Sequence, residues 1–215
     1  DRAPPARRAV FAQMGDFLHY DGIESVTPTS KHQLDTDTRF AKLIRTGIRV
    51  TREIIEMLLQ KYASVDVVMA SGNHDEVSGI WLPESFADRY RNQKRLFIDT
   101  SPAQFYAVEH GDTSLFFHHG HLKKIDQIDR ALTAEFREIF GRTRFSYCHV
   151  GHLHHREVKE SELMTVEQHG TLSARDAYAS RHGYKAARQA QVITYHEREG
   201  DVGRLVITPE QLKGA

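Results

Sequence analysis

Cysteine is nearly absent from this chain. A single one, Cys148, occurs among 215 residues. That excludes an intramolecular disulfide and any zinc site built on several thiolates. A lone thiol in a predicted buried strand reads as inert, and its scarcity fits a reducing cytoplasm. Net charge is absent too, because 29 basic residues balance 29 acidic ones. No global field therefore draws in nucleic acid or an anionic membrane, although a local basic groove stays open. No apolar run is long enough to span a bilayer, which argues against a membrane protein. No secretory signal is visible, and there is no repeat or low-complexity stretch. An initiator methionine is lacking, since the chain opens at Asp1. The length suits one domain, residues 1–215, with a full core.

Histidine, by contrast, is abundant. Fourteen are present, mostly near predicted strand ends. Imidazole is the commonest metal ligand and a general acid near neutral pH. The apolar pattern alternates between two periods. Ala9–Met14, Val65–Ala70, Leu96–Asp99, Phe105–Glu109, Ser114–Phe117 and Phe145–Val150 read as strands. Phe40, Leu43, Ile44, Ile48, Ile54, Ile55, Leu58 and Leu59 mark one face of a long helix, with Asp35 or Asp37 as its cap. Further helices are predicted over Pro83–Asn92 and Ile125–Phe140. Three more strands are expected between Val158 and Ile207. The class is α/β with antiparallel additions towards the C-terminus.

Four short polar motifs follow these strands directly. They are Gly15-Asp16, Gly72-Asn73-His74-Asp75, His118-His119-Gly120-His121 and Gly151-His152-Leu153-His154. In α/β sheets ligands gather beyond the carboxyl ends of strands, so motifs distant in sequence can converge. Asp16 offers a carboxylate that can bridge two cations, Asn73 a carbonyl oxygen, and His119, His152 and His154 imidazole nitrogens. This mixed donor set suits manganese, iron, zinc or nickel better than calcium or magnesium. His152 and His154, two apart, are expected on one strand-like face, with His155 turned away. On the same argument His118 faces away from His119, and His121 stands outside the ligand set or exposed.

The order of these motifs resembles that of the calcineurin-like metallophosphoesterases, from residue 9 to about residue 207. The wording Gly15-Asp16-Phe17-Leu18-His19-Tyr20-Asp21 is similar to a bacteriophage-type branch often found among DNA-metabolism genes. The resemblance implies a four-layer α/β/β/α sandwich, two β-sheets flanked by helices. It implies two divalent metal ions, manganese first, with iron, zinc or nickel as alternatives. Asp16 would bridge both metals. Asn73, His119 and His152 would hold one, and His154 would serve the other. His74 would be the general acid and Asp75 would orient its ring. The implied reaction is in-line attack of a metal-bridging hydroxide on phosphorus, with His74 protonating the leaving oxygen.

One family motif has no counterpart. Asp-X-His, which supplies two ligands to the metal of His154, normally precedes Gly-Asp by a strand and a helix. Nothing before residue 16 matches it, so a first strand and helix are expected to be missing from this sequence. A phosphodiesterase or nuclease acting on DNA or nucleotides is the leading expectation. A phosphomonoesterase or nucleotide phosphatase is the enzymatic alternative. A non-catalytic metal- or nucleic-acid-binding module on a degenerate phosphoesterase fold is the other class. Beyond the motifs, His19 is open between substrate contact and a supporting hydrogen bond. Trp81 reads as core. Arg181, His182 and Lys185, near Tyr178 and Tyr184, read first as solvated surface and second as a phosphodiester-binding loop.

Overall fold

The computed structural model describes residues 5–28, 31, 33, 34, 36, 39–173 and 188–213. The chain divides into two compact units, one spanning Ala6–Gln104 and one built from Phe105 onward.

Parallel pairing sets the first unit. Strands β1 (Arg8–Gln13), β2 (Ser64–Met69) and β3 (Leu96–Ile98) form a sheet in that order. Both pairings are parallel. The central strand, β2, is buried from Val65 to Met69. A continuous apolar run is what a strand covered on both faces requires. Its one charged member, Asp66, receives Arg8 in a two-pronged bond, Nε to Oδ2 at 2.5 Å and Nη2 to Oδ1 at 2.9 Å. That hydrogen bond raises the Arg8 guanidinium pKa further. Gln13 of β1 lies opposite Met69 of β2. The two chains thus leave the sheet together, one into Gly15-Asp16 and the other into Gly72–Asp75.

Helix α1 (Phe40–Lys61) buries Gly47, Thr51 and Ile55. Ile48, Leu58 and Leu59 pack beside them on a core of Val65, Val67, Met69, Leu82 and Phe86. Trp81 also packs there, as its apolar bulk led us to expect. Asp35 and Asp37, read as caps of this helix, lie outside the described residues. Gly47 has a specific task, because a Cβ there would stand 2.9 Å from Leu18 Cδ2. Its absence lets α1 close on the loop that follows Asp16.

Helix α2 (Ser78–Arg89) begins five residues before the predicted start at Pro83, which sits inside it. Proline resembles a helix start in sequence, because its missing N–H costs nothing in the first turn. Here it forgoes the bond to the Gly79 carbonyl instead.

In the second unit, β4 (Tyr106–His110), β5 (Thr113–His118), β6 (Phe145–Val150), β7 (Glu157–Glu160) and β8 (Thr165–Gln168) form one sheet, ordered β4-β5-β6-β8-β7. Its three inner strands run parallel, and the two outer ones run antiparallel to their neighbours. One face carries Phe116, Cys148, Val150 and Val166 in a core with Ile128 and Leu132. The predicted single helix over Ile125–Phe140 is two, α3 (Ile128–Glu135) and α4 (Arg137–Arg142). The break is Phe136, whose backbone leaves the helical region at φ −108°, ψ 43°. Phe136 packs on the core, so its periodicity survived the break.

A hairpin of β9 (Ala190–His196) and β10 (Gly200–Ile207) completes this unit. Among the described residues four strands follow Arg156, where three were expected between Val158 and Ile207. All four residues of β7 are exposed. Tyr178, Arg181, His182, Tyr184 and Lys185 lie outside the described residues. No helix among the described residues is long and apolar enough to cross a membrane.

Candidate functional site

Each unit carries two of the four motifs at neighbouring strand ends. In the first unit, Gly15 and Asp16 both have left-handed backbones, at φ 87° and 52°. Such a conformation is strained for a residue with a Cβ. It is held by the second motif. Asp75 Oδ1 accepts the amides of Asp16 at 3.1 Å and Gly72 at 3.2 Å, and Oδ2 accepts that of Leu18 at 3.0 Å. Asp16 Oδ1 in turn accepts the His74 amide at 2.9 Å. Gly72 is required by this closeness. A Cβ on it would lie 2.2 Å from both the amide nitrogen and Oδ1 of Asp16.

His74 is placed by its neighbours. Its Nδ1 lies 3.3 Å from the His19 carbonyl oxygen. A carbonyl only accepts, so Nδ1 carries the proton and Nε2 is left to act elsewhere. His19 thus contributes its backbone, and its ring lies 6.4 Å from that of His74. The stretch after His74 is pinned by Asp21, the last residue of the Gly15–Asp21 stretch. Its carboxylate takes the amides of Val77 and Ser78 and the Ser78 hydroxyl. Those amides are the orphan donors at the start of α2, so Asp21 caps that helix from 57 residues away. Nothing in the local sequence signals such a partner.

In the second unit, β5 and β6 pair in parallel, and His118 stands opposite Val150. The chain beyond each strand therefore emerges together, and the Gly151 amide binds the His119 carbonyl at 2.8 Å. His152 Nδ1 lies 3.2 Å from His119 Nε2. Their rings meet edge-on, with centroids 5.0 Å apart. The ring of His121 lies 5.2 Å from that of His119. His118 accepts the Gly120 amide on Nδ1 at 2.8 Å, which holds the turn that carries His119. Burial, with three neighbouring imidazoles, holds His118 down at about 4. Gly120 sits at φ 113°, and a Cβ on it would press on the Gly151 carbonyl and His152 at 3.3 Å.

His152 and His154 do not share a strand face. β6 ends at Val150, and both residues adopt left-handed backbones, at φ 70° and 57°. The every-second-residue rule applies only to extended chain, so a turn sets their directions instead. His152 is half-buried and His154 exposed.

Residues 1–195 match the family model described as calcineurin-like phosphoesterase. The chain belongs to that family. Its mixed α/β fold of sheets and helices is consistent with the family's architecture. Calcineurin-like phosphoesterases generally bind two divalent metals. Among solved structures, the chain is similar to vacuolar protein sorting 29 from Cryptosporidium parvum. Identity is 18%, with 93% of this chain and 97% of that one covered, at a TM-score of 0.40. It is also similar to a predicted phosphoesterase from Streptococcus pneumoniae TIGR4. There identity is 15%, with 66% and 72% covered, at a TM-score of 0.38. No curated protein matches.

The residues of the second unit fit a metal of this family's kind. His119 and His152 bring two imidazole nitrogens to 3.2 Å, a spacing that suits two donors on one ion of nitrogen preference. In the first unit, Asp16 combines a carboxylate with a strained backbone. Strain of about 1–3 kcal/mol per residue persists only where surrounding structure imposes it, commonly at functional sites.

Proposed function

We propose that this phosphoesterase is a divalent-metal-dependent phosphodiesterase acting on nucleic acid or nucleotides. Asp16, Asn73, His119, His152 and His154 are the proposed metal ligands, with manganese as the first candidate. The observation that carries the metal assignment is the His119–His152 pair, two imidazole nitrogens 3.2 Å apart at adjacent strand ends. Bound divalent cations would supply Lewis acidity at phosphorus and a water of lowered pKa.

The chain's own residues supply the remainder. His74, with Nδ1–H tied to the His19 carbonyl, would deliver a proton to the leaving oxygen from Nε2 when the ring is the imidazolium, and would be left as the neutral Nδ1–H imidazole. Asp75 fixes Asp16 and Gly72 before His74, and Asp21 fixes Val77 and Ser78 after it. The proton donor is thus held from both sides, which is what orientation in a phosphoryl transfer demands.

The diester preference is supported by α1. Lys42, Arg45 and Arg49 stand exposed at three- and four-residue steps, which places them on one helix face. None of the three has an ion-pair partner among the described residues. Like charges so spaced destabilise a bare helix, and a polyanion relieves them. The middle of this helix packs on Phe17 and Leu18, in the loop that follows Asp16.

The test is hydrolysis of bis-p-nitrophenyl phosphate and of p-nitrophenyl phosphate, each with manganese and with chelator. Chelator-sensitive turnover of the diester is expected. Turnover of the monoester alone would assign a phosphomonoesterase instead. Bound manganese with neither substrate consumed would overturn the enzymatic reading.

A further inference from the structure

The sheet of the second unit has a polar face that the phosphoesterase motifs do not use. Cys148 and Val166 point into the apolar core, so their neighbours His149 and Glu167 point the other way. His149 and Glu167 are register partners on β6 and β8, and so stand side by side. His169 follows two residues after Glu167, just past the end of β8. Burial is deep, with exposures of 6% for His149 and 1% for Glu167.

Three donor atoms converge there. His149 Nδ1 and His169 Nε2 are 2.8 Å apart. One ring nitrogen from each histidine and a Glu167 carboxylate oxygen all lie within 4.8 Å of one another. The other nitrogen of His149, Nε2, lies 2.8 Å from the Tyr195 hydroxyl. That contact lets His149 keep its proton on Nε2 and turn a bare lone pair towards His169. An outer hydrogen bond of this kind is what fixes the tautomer and ring of a metal-ligating histidine. Burial holds both imidazoles below their ordinary pKa, His149 well below.

The local charge also permits a cation. Glu167 receives Arg204 on Oε2 and Arg156 on Oε1, the latter at 3.1 Å. Arg204 is shared with Asp201, Nε to Oδ2 at 2.6 Å. Two guanidiniums are therefore balanced by two carboxylates, and Arg156 is half exposed. Each Glu167 oxygen keeps a further lone pair. The hairpin does not need the histidine pair for its attachment. Arg204 binds Glu167, the Asp201 amide binds the Tyr147 hydroxyl, and Thr113 binds the His196 carbonyl.

We propose that His149, His169 and Glu167 form a second divalent-metal site, selective for ions of the zinc class and additional to the motif histidines. Two imidazoles and a carboxylate are a donor set that zinc accepts, with a fourth position left for water. The ring nitrogens part by about 0.5 Å to admit an ion at the usual zinc–nitrogen distance. His169 is half-buried and lies beyond the strand end. The bound ion ties the end of β8 to β6. Through Tyr195 it reaches the β9–β10 hairpin as well.

The experiment uses the full chain carrying His119→Ala and His152→Ala, which removes the motif imidazole pair. The protein is stripped with chelator, then titrated with zinc by calorimetry and with cobalt(II) by visible absorption. One ion per chain is expected, with a cobalt spectrum of low coordination number. His169→Ala, and the milder His169→Gln should the first variant fold poorly by circular dichroism, are expected to weaken binding at least tenfold. Tyr195→Phe should weaken it by less than His169→Ala does, because Tyr195 supports a ligand and is not one. No zinc or cobalt bound at millimolar metal would overturn the site and leave a hydrogen-bonded Tyr195–His149–His169 chain. An ion whose affinity is indifferent to both His169 variants would overturn it equally. Binding is the readout, so failure of phosphoester hydrolysis has no bearing on it.

Discussion

Asp75 holds Asp16 in place. Its Oδ1 accepts the Asp16 amide at 3.1 Å, while Asp16 Oδ1 accepts the amide of His74, the residue before Asp75, at 2.9 Å. The two carboxylates lock their loops reciprocally, as the two side chains of a capping box do, across 59 residues of sequence.

Asp75→Ala is therefore expected to release three backbone amides, those of Asp16, Gly72 and Leu18. Bonds to a charged acceptor are worth about 1.5–3 kcal/mol each, and the loss is partly recovered by water. A destabilisation of about 2–4 kcal/mol should appear in urea unfolding. Asp75→Asn, which keeps one oxygen acceptor, should recover part of it. Equal stability of wild type and Asp75→Ala would refute the locking role.

Gly72→Ala tests the closeness of the two loops. Its Cβ would meet Asp16 backbone and side chain at 2.2 Å, and backbone cannot simply swing aside. The loops must part, so manganese content should drop together with thermal stability. A variant that binds manganese as wild type does would show that the loops tolerate separation.

Asp21→Ala removes the cap of α2. Such losses cost about 1 kcal/mol. If Asp21 also positions His74, kcat should fall while KM stays near wild type, and Asp21→Asn should restore much of the activity. A loss of stability with unchanged kcat would confine Asp21 to the helix.

Variants of His74 and Asp16 would separate the proposed proton delivery from the proposed metal binding. His74→Ala should keep manganese and lose turnover by about 10²–10⁴-fold. Asp16→Asn should lose both metals and activity. Metal analysis of the two variants after dialysis decides the assignment, and two fully occupied metals in Asp16→Asn would exclude the bridging role.

A pH effect is expected away from the site. Arg142 binds Glu109 with two prongs, at 2.7 and 2.6 Å. That hydrogen bond holds the Glu109 carboxyl below the ordinary glutamate range. A depressed carboxylate contributes stability above its unfolded pKa and loses it as pH falls through the folded one. The pair is solvent-exposed, so the contribution is small. A carbon-13 titration should find Glu109 titrating low, and Arg142→Gln should move it upwards. An unchanged Glu109 midpoint in Arg142→Gln would show the pair to be without effect.

Much of the fold was legible because burial repeats with the period of the element. The apolar steps of Phe40–Leu59 correspond to α1, and the apolar run Val65–Met69 to the fully covered β2. The errors have equally local causes. Pro83 looks like a helix start, and Phe136 keeps its helical phase through a break. The turn at His152 and His154 was read as strand, because spacing in sequence says nothing of the sign of φ.

The sequence by itself determined the family, through four motifs whose residue types are the chemistry, and the strands that deliver them. Tertiary structure alone decided which groups hold those motifs. Asp21 caps a helix 57 residues away, Asp75 collects amides from two loops, and His149 meets His169 and Tyr195. The physical reason is one of range. Periodicity reports how each segment meets solvent, which a neighbourhood of residues encodes. A hydrogen bond between distant segments depends on register and loop geometry that no single neighbourhood contains.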